Sequence, residues 1–315
     1  MRGNIDIVLR RSLDGGQTWE PMQVVADLGN DACGNPCVVR DEVTNRLWLT
    51  LTRSRGQDTE EQIVAGKVPG TRVYVTHSDD DGVNWAKPSE ISATVRKPSW
   101  GWYETDPGKG LYLRRNRTES QLLIPVYHTV VGVYRTHCFF SDDHGETWQL
   151  GGTVTDNSSE SQVIVAECHN LLMNARTIAG HGDYRTLYES EDRGLSWKPA
   201  QGLTPMIENK CQGDFYRCFR LGSNGQWDWI FTHPINSGRV NVHAWISEDG
   251  GKSWPHSQPL WSGPSAYTSM ERVHGLVGVL LECGEKDAYE QISFLKFAPE
   301  WLKARKAPAL PSRTR

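Results

Sequence analysis

Ser141-Asp142-Asp143-His144-Gly145-Glu146-Thr147-Trp148 decides the fold, because the chain repeats its frame, Ser-x-Asp-x-Gly-x-Thr-Trp, five times. The other copies run from Ser12 to Trp19, Ser78 to Trp85, Ser190 to Trp197 and Ser247 to Trp254. Asp14, Asp80, Asp143, Asp192 and Asp249 hold the third position, and Gly16, Gly82, Gly145, Gly194 and Gly251 the fifth. Only the position before Trp varies, as Thr18, Asn84, Thr147, Ser196 and Ser253. The physics is that of a tight turn. Asp accepts hydrogen bonds from backbone N–H groups a few residues on, and Gly takes a positive φ without strain. The hydroxyl before Trp ties the far side, and Trp anchors the returning chain through its large apolar area. A run of alternating residues precedes each copy, such as Arg72-Val73-Tyr74-Val75 or Thr136-His137-Cys138-Phe139-Phe140. A period of two marks strands, so each octet is a β-hairpin turn.

The box serines lie 49 to 66 residues apart, about the chain needed for one four-stranded propeller blade. The repeat is identified as the Asp-box, or BNR, repeat, and the chain resembles the sialidase (neuraminidase) superfamily. The resemblance implies an all-β, six-bladed β-propeller over residues 1–302, its first blade incomplete. A basic, Pro-containing tail, 303–315, is expected to be disordered. In that family the boxes sit at blade edges away from substrate. The five box Asp are therefore expected to build turns rather than bind metal or catalyse.

Composition narrows the function. The 34 basic residues balance 38 acidic ones and form no basic tract, so nothing points to nucleic acid. No apolar run reaches the ~18 residues of a membrane span. Met1-Arg2-Gly3-Asn4-Ile5-Asp6 carries no apolar core of a signal peptide, and the compartment stays open between the cytoplasm and export from a longer precursor. Seven Cys at irregular spacings, among them Cys33 and Cys37, read as buried free thiols rather than a zinc site. Neither metal nor cofactor is expected.

Further along, Gly34-Asn35-Pro36-Cys37-Val38-Val39 and Leu47-Trp48-Leu49-Thr50-Leu51 read as a hairpin, and 54–71 as a long surface loop. Trp100, Trp102 and Tyr103, beside a Gly-Pro loop, could line a sugar site or pack between blades. Glu160 opens one strand and Arg176 closes the next, so antiparallel pairing puts them at one end of a sheet. Singly, such a pair is an ordinary ion pair, and a lone strand Tyr is core.

The resemblance covers Ile5 to about Leu302. Besides the boxes it rests on Gly34-Asn35-Pro36, on Asp106-Pro107-Gly108-Lys109-Gly110 followed by Leu122-Leu123-Ile124-Pro125, and on Glu160-Ser-Gln-Val followed by Arg176. Arg239 ahead of the fifth box, Ser265-Ala266-Tyr267 behind it and the closing Tyr289-Glu290-Gln291-Ile292 complete it. It implies that Tyr267 is the nucleophile and Glu160 the base that polarises it. Arg176 and Arg239 would be two of three arginines that clamp the substrate carboxylate, with Asn35, Tyr127 and Gln212 as pocket residues. The residue types suit sialic acid, whose anomeric carbon bears a carboxylate. A neutral phenol avoids the repulsion a second carboxylate would meet there, and guanidinium matches a carboxylate with paired hydrogen bonds.

The family's Arg-Ile-Pro segment and its acid/base Asp are not found ahead of Arg10-Arg11. The implied function is a retaining exo-α-sialidase acting on sialylated glycans, impaired in this chain. Two alternatives stand beside it: a non-catalytic propeller that binds glycans, and an Asp-box glycosidase acting on another polysaccharide.

Overall fold

The computed structural model describes residues 3–304 apart from 115, 117–118, 167–169, 222–226 and 237. Residues 305–315 of the expected tail and the turn residue His169 lie outside the described residues. Strands dominate, and the three helices among the described residues have four or five residues each. Contacts divide the chain into two compact units, Met1–Glu160 with Asp192–Trp197, and Ser161–Glu191 with Lys198–Arg315.

The first unit holds three sheets. Ile7–Leu9 and Gln23–Ala26 form a two-stranded one. A five-stranded sheet runs in the order Ser89–Glu90, Arg72–Ser78, Leu47–Ser54, Ala32–Arg40 and, in parallel, Gly108–Lys109. Another runs Gln149–Asp156, Val133–Ser141, Ser120–Val130 and Tyr103–Thr105, with Leu111–Arg114 also pairing Ser120–Val130. Ser120–Val130 is buried at every position but its last, so it reads as a nearly continuous apolar run rather than an alternating one. One core in this unit joins Val39, Trp48 and Val75 to Leu122, Ile124 and Phe139.

The second unit contains most of a four-stranded sheet, Ser158–Val165, Leu171–Thr177, Thr186–Ser190 and Lys198–Pro199. Its other sheet has six strands in sequence order: Asp214–Leu221, Trp227–Asn236, Val240–Ser247, His256–Val273, Leu276–Cys283 and Gln291–Phe297. The 18-residue strand His256–Val273 pairs with Val240–Ser247 through its first half and with Leu276–Cys283 through its second.

Consecutive antiparallel strands are the pattern of propeller blades. Among the described residues four sheets of four to six strands have it, with the Ile7–Leu9 pair as a small fifth. The count of six expected from the resemblance is not reached in these sheets.

All five boxes are turns, and their hydrogen bonds explain their residue types. In the third, the Ser141 hydroxyl donates to Asp143 at 2.8 Å and accepts from the Gly145 amide at 2.7 Å. The Thr147 amide and hydroxyl donate to the two carboxylate oxygens of Asp143 at 2.9 and 2.6 Å. Thr18, Asn84, Ser196 and Ser253 make the same amide and side-chain bonds to their own Asp. Bonds of this kind hold Asp80 at a pKa of about 2, Asn84 being the main cause. The turns also tie sheets together. The Trp48 indole donates to the His144 carbonyl at 3.0 Å, and its ring stands edge-on to Trp148 at 5.9 Å.

One expectation changes, and one open alternative narrows. The supposed loop 54–71 contains a helix, Glu60–Val64. Thr59 caps it and Gln62 returns the bond, a capping box that allows so short a helix to form. Trp100, Trp102 and Tyr103 are buried, at 5%, 3% and 0% exposure. They pack: Trp100 stacks on His128 at 3.6 Å and on Tyr103 at 5.9 Å. Lys303 pairs with Glu248 at 2.6 Å and Asp228 at 3.0 Å. The six described cysteines, Cys33, Cys37, Cys138, Cys211, Cys218 and Cys283, are all buried.

Candidate active site

Tyr267 sits where the long strand changes partners. Ser265 pairs with Cys283 and Thr268 with Leu281, so Ala266 and Tyr267 together face the single residue Glu282. That is a β-bulge, a device that re-aims a side chain. The Tyr267 amide, freed from the ladder, donates to the Glu282 carboxylate at 3.2 Å. The ring packs on a small cluster of Cys211, Ala266 and Ala288. Gln212, next to Cys211, is buried at 1% exposure.

Arg239 comes from the hairpin tip between Trp227–Asn236 and Val240–Ser247, at a left-handed φ of 58°. Its carbonyl accepts from the Ser265 amide at 2.8 Å, which ties the tip to the strand carrying Tyr267. Its guanidinium lies over the Tyr267 ring, 5.1 Å from the centroid. It donates to the Tyr289 hydroxyl and to the Lys210 carbonyl, the latter at 3.0 Å. Burial weighs against the positive charge of Arg239, and Arg176 adds to that, although Cys211, Tyr267 and Tyr289 leave its pKa raised. Burial, followed by the charges of Arg185 and Arg176, also pushes the His233 pKa well down. Arg239 thus lies over Tyr267, and the charge of Arg176 is felt at Arg239 and at His233.

The remaining candidates belong to the first unit. Asn35 occupies another bulge, since Gly34 pairs with Thr52 and Cys37 with Thr50. Its φ of 51° is the left-handed conformation that Asn tolerates, and its carbonyl accepts from the Thr105 hydroxyl at 2.5 Å. Tyr127, directly opposite Glu104 across two strands, accepts from the Trp102 indole at 3.4 Å. Burial pushes the Tyr127 pKa well up, and the charges of Glu160 and Glu104 add to it. Glu160 itself is buried, at 5% exposure. Its strand, Ser158–Val165, is the hydrogen-bonded neighbour of Leu171–Thr177, which carries Arg176 near its end.

Three side chains escaped sequence reasoning. Glu104 is fully buried; one oxygen accepts from the Thr52 hydroxyl and the other has no partner among the described residues. Burial raises its pKa to about 8, with the charges of Glu60 and Glu160 acting in the same sense against Thr52. Glu282 and Tyr289 are the others. The signal for Tyr289 was available, since it lies in the closing segment Tyr289-Glu290-Gln291-Ile292. Glu104 and Glu282 stand in strands where nothing local marks them. Among the described residues no group of three or more His, Cys, Asp or Glu could hold a metal ion. Among the described residues no helix is long and apolar enough to cross a membrane.

Comparison with known proteins bears on the family and the fold. Residues 1–279 match the BNR repeat-like domain family. The chain is similar to Sialidase-2 of Rattus norvegicus, 30% identical over 92% of this chain and 83% of that protein. It is similar to a sialidase of Bacteroides fragilis, 26% identical over 82% of this chain and 50% of that protein. Among solved structures, the Hadza microbial sialidase Hz136 superposes with a TM-score of 0.83 at 27% identity, covering 94% of this chain and 60% of that one. The chain thus spans most of the mammalian relative but only part of the microbial ones. By the length of the family match and by these relatives, the chain belongs to the sialidase family of BNR-repeat proteins.

Proposed function

We propose that the chain is a sialidase-type glycoside hydrolase that releases terminal α-linked sialic acid with retention. Tyr267 is the nucleophile, Glu160 the base that takes its proton, and Arg176 and Arg239 bind the substrate carboxylate. Asn35, Tyr127 and Gln212 contact the sugar. The observation that carries the reading is the corner where Arg239 covers Tyr267 within electrostatic reach of Arg176. Two guanidinium groups held together repel, and an anionic ligand between them offsets that cost. A carboxylate bound there brings its neighbouring anomeric carbon to the tyrosine oxygen. The Tyr267 oxygen then bonds to the anomeric carbon as the glycosidic bond breaks, and its proton passes to Glu160. In the second step water attacks from the face that the leaving group vacated and displaces the tyrosine oxygen, which recovers its proton from Glu160 while the water gives one up to solvent, and the two inversions give net retention. A tyrosine of ordinary pKa near ~10 needs that base at neutral pH.

None of the residues assigned above gives a proton to the departing glycosidic oxygen. The 315-residue chain should therefore favour an aryl sialoside, whose leaving group needs little protonation. It should lag by about 10²–10⁴ on a sialyl-oligosaccharide, the usual worth of general acid catalysis. Steady-state kinetics on both substrates test this, with Tyr267→Phe and Glu160→Gln as controls and NMR to read the first-formed anomer. Equal rates on the two substrates would mean that another residue supplies the proton. Binding of the sialoside without turnover by the wild type would favour the glycan-binding alternative.

A further inference from the structure

Tyr289 stands 58% exposed, yet its surroundings hold it firmly. Its amide donates to Asp287 at 2.8 Å. The Glu290 carboxylate accepts from the amides of Glu285, Lys286 and Asp287 at 2.8, 3.2 and 3.2 Å, closing the loop on itself. Ala288, just before Tyr289, is buried against Cys211 and Ala266. The loop thus presents the Tyr289 ring in a fixed place, 5.8 Å from the Arg239 guanidinium, with its hydroxyl accepting from that group.

A guanidinium has five N–H groups. Tyr289 and the Lys210 carbonyl take one each, and the rings of Tyr267 and Tyr289 both border the group. A long arginine side chain otherwise samples many rotamers, and fixing it at the moment of binding weakens affinity. We propose that Tyr289 is a positioning residue that holds the Arg239 guanidinium in place, so that its remaining N–H groups receive a ligand carboxylate. Tyr289 acts through Arg239 and has no part in bond making. This rests on the reading of Arg239 as a carboxylate-binding residue.

The test is Tyr289→Phe, which removes one exposed hydroxyl and keeps the ring. Calorimetric titration with the inhibitor DANA and with its methyl ester separates the carboxylate's share of binding without requiring turnover. Wild-type protein should bind the acid more tightly than the ester. Tyr289→Phe should weaken the acid about 3- to 10-fold, the net worth of one hydrogen bond, and leave the ester unchanged. In an Arg239→Ala background the same substitution should have no effect, because nothing remains to be positioned. KM for an aryl sialoside should rise by the same factor, with kcat within about twofold. Equal weakening of acid and ester, or no weakening of either, overturns the role of Tyr289 alone. Wild-type protein that fails to tell acid from ester overturns the carboxylate clamp and the role of Tyr289 with it.

Discussion

Asp143 directs its carboxylate to its own turn, where Ser141 and Thr147 supply its hydrogen-bond donors. Asp143→Ala should cost roughly 1–2 kcal/mol, the scale of lost caps and hydrogen bonds, and leave KM unchanged. Gly145 is more exacting. Its φ is 91°, and a Cβ there would come within 2.1 Å of the Trp48 ring. Gly145→Ala should therefore destabilise by on the order of 2–4 kcal/mol, through strain and overpacking together. Urea denaturation of the two variants measures both. The turns were legible in the sequence because every bond they need is local, between residues two to four apart. The tilt of Trp48 onto Gly145 was not, since 97 positions of chain separate them.

At the scale of elements, strands and hairpins were readable from periodicity, and interruptions of the ladder were not. Asn35 and Tyr267 both sit in bulges, and a bulge depends on the partner strand's register. The helix Glu60–Val64 was missed because Thr59-Glu60-Glu61-Gln62 is polar and the helix has only five residues, too short for a period to show. Buried ionisable groups in the sheet interiors give the stability a pH profile. Burial raises the Glu104 pKa to about 8, so the folded state keeps a proton that the unfolded chain loses near ~4.3. Its contribution to stability falls as pH rises from that value to about 8 and is gone beyond it. Glu104→Gln should remove this decline. On the acid side, burial lowers the His128 pKa to about 3, with Arg135, Lys97 and Arg96 adding to it. Burial and then the charge of His128 push His137 well down too. The two rings touch through their Nδ1 atoms at 3.0 Å, which leaves room for one shared proton. Below ~6.5 the unfolded chain takes up protons on both histidines that the folded state refuses, which outweigh the one Glu104 keeps, so net stability should fall as pH drops from there to about 3 and the Glu104 decline shows between ~6.5 and about 8. Melting temperatures from pH 3 to 9 for wild type and Glu104→Gln check both limbs. A flat profile in the wild type would contradict them.

For the molecule as a whole, the five boxes identified the family before any site residue could be judged, because repetition is a signal that single residues lack. The chemistry depends on far fewer positions. A Tyr, a Glu and two Arg are unremarkable one by one, and the roles proposed for them rest on Arg239 lying over Tyr267 within electrostatic reach of Arg176. The central claim is that Tyr267 bonds to the anomeric carbon, and trapping that bond tests it most directly. Incubation with 2,3-difluorosialic acid, whose fluorine slows breakdown of such an adduct, should raise the intact mass by a single sugar. Peptide mapping should place the added mass on Tyr267, and Tyr267→Phe should gain none. An adduct on another residue, or turnover of an aryl sialoside that persists in Tyr267→Phe, would contradict the account.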